Sequence, residues 1–221
     1  MVNIDKYISE LISHLKDKFE SRLLYVGLQG SYLRCEATET SDIDIMVIID
    51  ELSVSDLKAY RSIIENMEHF EKSCGFICSK DDLLNWNPLE IANLLGATEN
   101  YYGTLSDFTP SYNEKDIRNF IKISLNNLYH EICHGYIHGS EEQNKINLRA
   151  AYKSVFFILQ NLYLLKTGKF ILYKAELLFL LYGKDEEIFK KSIELSKNKD
   201  YDFDECFSLL FNWCQETLKS F

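Results

Sequence analysis

"GLQGSYLRCEATETSDIDIMVIID", residues 27–50, decides how the rest of the chain is read. A Gly30-Ser31 turn is followed, after one short loop, by Asp42 and Asp44 with a single isoleucine between them. Apolar runs flank this loop. Residues 23–28 enter it and residues 43–49 leave it, and both have the length and the β-branched or aromatic character of buried strands. Side chains alternate across a strand, so Asp42 and Asp44 share one side while Ile43 takes the other. Two carboxylates a few Å apart raise each other's pKa unless a cation compensates them. A divalent metal ion is the simplest compensation.

Outward from this stretch, the first half of the chain alternates helix and strand signals. A helix over 4–19 precedes the first strand. A helix over about 55–69 follows the second, with Ser53 or Ser55 available to cap it. "SCGFICS" (73–79) reads as a third short strand, and "NPLEIANLLGAT" as a short helix with Pro88 in its first turn. "YYGTLSDFTPSYNEKD" (101–116), with Gly103 and Pro110, marks a linker. Beyond it every segment has helical period: 116–138, 142–167 ended by Gly168, 173–182 ended by Gly183, then "DEEIFKKSIELSK" and "DFDECFSLLFNWCQETLK". The expected fold class is α+β. A small mixed-sheet domain occupies residues 1–110 and an all-helical bundle occupies 111–221. Phe156, Phe157, Tyr163, Phe179, Phe207 and Phe211 recur at helical spacing and read as bundle core.

Composition narrows the function classes. In a chain of 221 residues, 46% hydrophobic and 14% aromatic residues describe a folded globule. A formal net charge of −10 argues against a long nucleic-acid footprint and is compatible with a cationic small substrate. The N-terminal stretch is an amphipathic helix with charges throughout, not a signal peptide. "SVFFILQNLYLLK" (154–166) is too short and too polar in its middle to span a bilayer. A cytoplasmic protein with no membrane partner is therefore expected, and its six cysteines are expected to be reduced.

"GSYLRCEATETSDIDI" resembles the signature of the nucleotidyltransferase superfamily that includes DNA polymerase beta. It is most similar to that of the small bacterial aminoglycoside and lincosamide adenylyltransferases. The positions that carry the resemblance are Gly30, Ser31, Arg34, Ala37, Ser41, Asp42, Ile43 and Asp44, at the family's spacing. Cys35 stands where a glycine is usual and Leu33 where alanine is. The resemblance implies transfer of a nucleoside monophosphate, AMP from ATP by family default, to a hydroxyl of a small-molecule acceptor such as an antibiotic. Asp42 and Asp44 would be the catalytic pair and the ligands of one or two Mg²⁺ ions. Gly30, Ser31, Arg34 and Ser41 would hold the NTP. For Arg34 a second role is open, pairing with Glu36 or Asp42 to hold the loop. The segment from Ala150 onward is similar to the helical domain of these transferases, where lysines and tyrosines reach the triphosphate. Lys153 is the candidate, with Tyr173 and Lys174 behind it. Antibiotic-modifying relatives sometimes build one site from two chains, so monomer and homodimer both stay open.

The chain also departs from the pattern. The family usually carries a third carboxylate on a later strand. "SCGFICS" has no acid, and Cys74 or Gly75 falls at that position, with Glu71, Asp81 and Asp82 the nearest acids. Two readings follow: an enzyme that manages with two carboxylates, or a weak or inactive nucleotide-binding regulatory module of the antitoxin kind. A separate motif, "HEICHGYIH", places His130 and His134 one helical turn apart with Glu131 between them and His138 beyond. This is the zinc-hydrolase spacing. The longer pattern of such enzymes is not met, because Gly135 directly follows His134.

Overall fold

The computed structural model describes residues 2–198 and 200–221. The chain divides into two compact units, Met1–Tyr112 and Asn113–Phe221.

The first unit is built on a four-stranded sheet in the order β3-β2-β1-β4. Helix α1 (Ile4–Phe19) opens it, capped by the Asn3 side chain, which accepts from the Lys6 N–H. It buries Tyr7, Ile8, Leu11, Leu15 and Phe19, the stripe expected of an amphipathic helix. Strands β1 (Leu23–Leu28) and β2 (Ile43–Ile49) pair antiparallel across the loop that holds the short helix α2 (Gly30–Leu33). A parallel neighbour needs a crossover. Helix α3 (Val54–Glu65) supplies it and returns the chain to β3 (Ser73–Ser79), which pairs parallel with β2. Helices α4 (Lys80–Leu84) and α5 (Pro88–Gly96) follow. Met46 and Ile48 of β2 pack with Tyr25, Cys78, Leu83 and Leu105 into a buried cluster. By strand alternation Asp44 belongs to that same face, one step beyond Met46, where the strand begins.

Two boundaries differ from the sequence expectation. A strand, β4 (Glu99–Tyr102), which pairs antiparallel with β1, takes in the first two residues of the segment read as linker. Four residues have no periodicity of their own, so it is β1 that orders them. Leu105, in the turn beyond, enters the core at 2% exposure. Helix α3 ends at Glu65, and His69 takes a left-handed backbone (φ 67°) before the turn into β3.

The second unit consists of α6 (Glu114–His138), α7 (Glu141–Thr167), α8 (Lys174–Leu180), α9 (Gly183–Lys197) and α10 (Phe203–Lys219). Helix α6 packs on α7 and α10, and α9 packs on the same two. Phe156 is buried and stacks on Phe189 at 5.8 Å, and Phe207 stacks on Phe211 at 5.8 Å. The assignment of every helical aromatic to the core is corrected at two positions: Phe157 is 44% exposed and Phe179 is 88% exposed. Helix α8 is only two turns long and buries Leu177 alone, which leaves Phe179 outward. Among the described residues no helix is long and apolar enough to cross a membrane.

Candidate active site

The site grows from the backbone at Gly30. Its φ of +72° lies in the left-handed region, and a Cβ built there would fall 1.8 Å from Asp44 Oδ2. Glycine is therefore required twice, once for the turn and once because the Asp44 carboxylate occupies the space of a side chain. A backbone bond from the Gln29 N–H to the Asp44 carbonyl (2.9 Å) closes the turn onto β2. The Gln29 amide is itself held by Thr98 (2.8 Å). Gln29 carries no signature in the sequence beyond its place before Gly30.

Asp44 is half-buried and Asp42 is exposed. Burial pushes the Asp44 pKa up, the Cys74 thiol bonded to it pulls it down, Asp42 raises it and Arg34 lowers it. Asp42 thus acts on Asp44, as strand alternation requires. The register of β2 and β3 sets what stands beside the aspartates on the next strand: Asp44 lies opposite Cys74, and Ile45 opposite Gly75. Gly75 is forced by close approach, because its Cβ would fall 2.0 Å from the Ile45 carbonyl oxygen. Asp82 is committed elsewhere. It closes a capping box with Ser79, at the opposite end of β3 from Cys74 and about 16 Å away at ~3.3 Å per residue. Glu71 is exposed and lies 3.9 Å from His69.

The other predicted residues fall as follows. Ser31 sits in the first turn of α2, half-buried. Arg34 Nε bonds Glu36 at 3.2 Å, the loop-holding role, while its charge also reaches Asp44. The Ser41 hydroxyl accepts from the Thr38 N–H (2.8 Å) and tightens the loop just before Asp42. Lys72 bonds the Glu39 carbonyl and ties that loop to the start of β3. Lys153 lies in the second unit, exposed on α7. In that unit Tyr173 is 45% exposed, and Lys174 Nζ stands 5.5 Å from the Phe156 ring centroid. His130, His134 and His138 line the exposed side of α6. Among the described residues no three His, Cys, Asp or Glu side chains are gathered to hold a metal ion.

The residues present fit a divalent cation at Asp42 and Asp44. A carboxylate is pressed against a glycine turn, partly desolvated, with a second carboxylate beside it, and oxygen donors of this kind suit Mg²⁺. A glycine turn before a paired-aspartate strand can receive phosphate oxygens and a divalent cation side by side. Comparison with known proteins makes this specific. Residues 8–89 match the nucleotidyltransferase domain family. A "putative protein adenylyltransferase" of Methanocaldococcus jannaschii is 35% identical over 86 residues, covering 34% of this chain and 86% of that protein. A second of the same description and organism is 46% identical over 54 residues, covering 24% of this chain and 52% of that protein. The crystal structure of a spectinomycin adenyltransferase from Enterococcus faecialis, with ATP and spectinomycin, superposes with a TM-score of 0.59 at 14% identity. That match covers 98% of this chain and 100% of the other. The chain belongs to the nucleotidyltransferase family and is a transferase enzyme.

Proposed function

We propose that the chain transfers AMP from ATP to a hydroxyl of a small-molecule acceptor, with Mg²⁺ held by Asp42 and Asp44. The observation that carries this reading is the Gly30–Asp44 contact, in which the turn and the carboxylate occupy one volume. The acceptor oxygen forms a bond to the α-phosphorus as the bond to the bridging oxygen breaks; pyrophosphate leaves, and the hydroxyl proton passes to solvent water. Mg²⁺, when bound, neutralises the charge on the phosphate oxygens and on the departing pyrophosphate. The chain supplies position. Gly30 and Ser31 receive triphosphate oxygens, Arg34 adds positive charge while braced by Glu36, and Ser41 fixes the loop that presents Asp42. Such preorganisation supplies much of the rate of phosphoryl-type transfers.

A small-molecule acceptor is favoured by the fold likeness to a small-molecule adenyltransferase, which extends over both units. A protein hydroxyl is the second reading, favoured by the naming of the 35% identical relative. Incubation with ATP labelled at the α-phosphate, Mg²⁺, and a panel of aminoglycosides, aminocyclitols and lincosamides separates the two. Label on a panel compound supports the proposal, and label on a protein band supports the second reading. Absence of both label transfer and pyrophosphate release contradicts both.

A further inference from the structure

The motif around His130 is left over once the transferase site is assigned, and the structure gives it a different use. His130, His134 and His138 are all exposed, on the side of α6 opposite the buried Leu125, Leu128 and Ile132. Their rings stand in a ladder. The centroids of His130 and His134 are 5.8 Å apart, and those of His134 and His138 are 4.8 Å apart. No hydrogen bond or ion pair to another side chain engages these three imidazoles among the described residues. Glu131 lines a cavity with Phe120, Ser124, Asn127, Ser154 and Phe157. Among the described residues no third metal ligand joins a histidine pair, as a zinc hydrolase requires.

We propose that this ladder is a surface chelate for one late divalent transition-metal ion, of the Zn²⁺, Ni²⁺ or Cu²⁺ class. Imidazole nitrogen suits these ions, whereas Mg²⁺ prefers oxygen. Two imidazoles one turn apart on a helix share a face and can reach a common ion. His130 and His138 are two turns apart, about 12 Å along the axis, too far to share an ion with bonds of about 2.1 Å. The ladder therefore contains two overlapping pairs that share His134, in keeping with the lack of any three-ligand cluster. The His134–His138 pair also spans Gly135, the glycine inside the last turns of α6, so an ion held there staples the part of the helix with the weakest intrinsic preference.

Sharing of His134 makes the test specific. Tag-free full-length protein is titrated with ZnCl₂ by calorimetry in saturating Mg²⁺, and its imidazole NMR signals are followed on adding CuCl₂. The expected result is one ion per chain, with Cu²⁺ broadening His130, His134 and His138 before His14 and His69. His134→Ala and His134→Gln both weaken zinc binding by about tenfold or more, because only single ligands remain. His130→Ala and His138→Ala each keep one intact pair and lose less. Zinc raises the unfolding temperature of the wild type but not of His134→Ala. An Asp42→Asn, Asp44→Asn double variant binds zinc as the wild type does. Equal effects of the three alanine variants would overturn the proposal, as would Cu²⁺ broadening spread evenly over all five histidines or loss of zinc binding in the aspartate variant.

Discussion

At Asp44 the proposed function and stability pull in opposite directions. Its carboxylate is partly desolvated, pressed on Gly30 and close to Asp42, and its pKa is raised. A carboxylate whose folded pKa is raised favours the fold when protonated, and its ionisation costs stability as pH climbs through that value. Asp44→Asn is therefore expected to raise the metal-free unfolding temperature at neutral pH while abolishing transfer, a pair of effects that thermal scans and a pyrophosphate assay measure together. Cys35 offers a cleaner case. It stands where a glycine is usual in the motif, and it adopts φ +55°. A left-handed conformation costs a non-glycine residue roughly 1–2 kcal/mol, and the greater freedom of glycine in the unfolded chain returns part of that. Cys35→Gly should stabilise the protein by up to about 1 kcal/mol in urea titrations, and a loss of stability would show that the turn needs its side chain. Both residues were legible in the sequence because motif spacing fixes backbone conformation. The thiol of Cys74 against Asp44 was legible only as one of two registers, because a parallel pair is set by contacts distant in the chain.

At the scale of elements, the strands that carry an apolar run or composition of their own were readable, and the short polar-aromatic strand was missed. β1, β2 and β3 carry their own pattern, whereas "ENYY" in β4 becomes a strand only because β1 offers a free edge. The start of α3 shows the same division. "SVSD" announces a cap with two candidate serines. In the structure Ser53 is the cap, and Asp56 completes a capping box through the Ser53 N–H (2.9 Å). What the sequence does not reveal is the fork from Arg22, whose Nη1 and Nη2 donate to the two Asp56 oxygens at 3.0 and 2.9 Å. Arg22 lies 34 residues away in the chain, beyond any local pattern. Its hydrogen bond is the largest cause holding the Asp56 pKa far below the usual carboxylate range, with Ser53 next. The sign is fixed by that direction. The pair contributes stability above the ordinary carboxylate value of 3.8, and the contribution is lost as pH falls through the depressed folded value. Asp56→Asn should flatten the acid limb of stability against pH, with its deficit greatest near neutrality and fading in strong acid. Ser53→Ala should cost about 1 kcal/mol through the cap. Urea midpoints measured across pH check both.

At the scale of the whole molecule, the two units differ in how much they say. The first was readable down to its candidate site because one loop carries both the turn and the carboxylates. The second was readable as helices, but its faces were not, as exposed Phe157 and Phe179 show. For Phe179 the reason is that α8 is too short for its period to locate a stripe, and for Phe157 that an aromatic beside the buried Phe156 and Ile158 falls off the stripe of a long helix. The family match lies in the first unit, over residues 8–89. Chemistry is accordingly proposed at Gly30, Asp42 and Asp44, which all lie within that match. The central claim is that these two aspartates bind nucleotide through a divalent metal ion, and calorimetric titration of the full-length protein with ATP tests it most directly. The account predicts binding that requires Mg²⁺ and disappears in Asp42→Asn and Asp44→Asn. Binding of equal strength without Mg²⁺, unchanged in both variants, would contradict it.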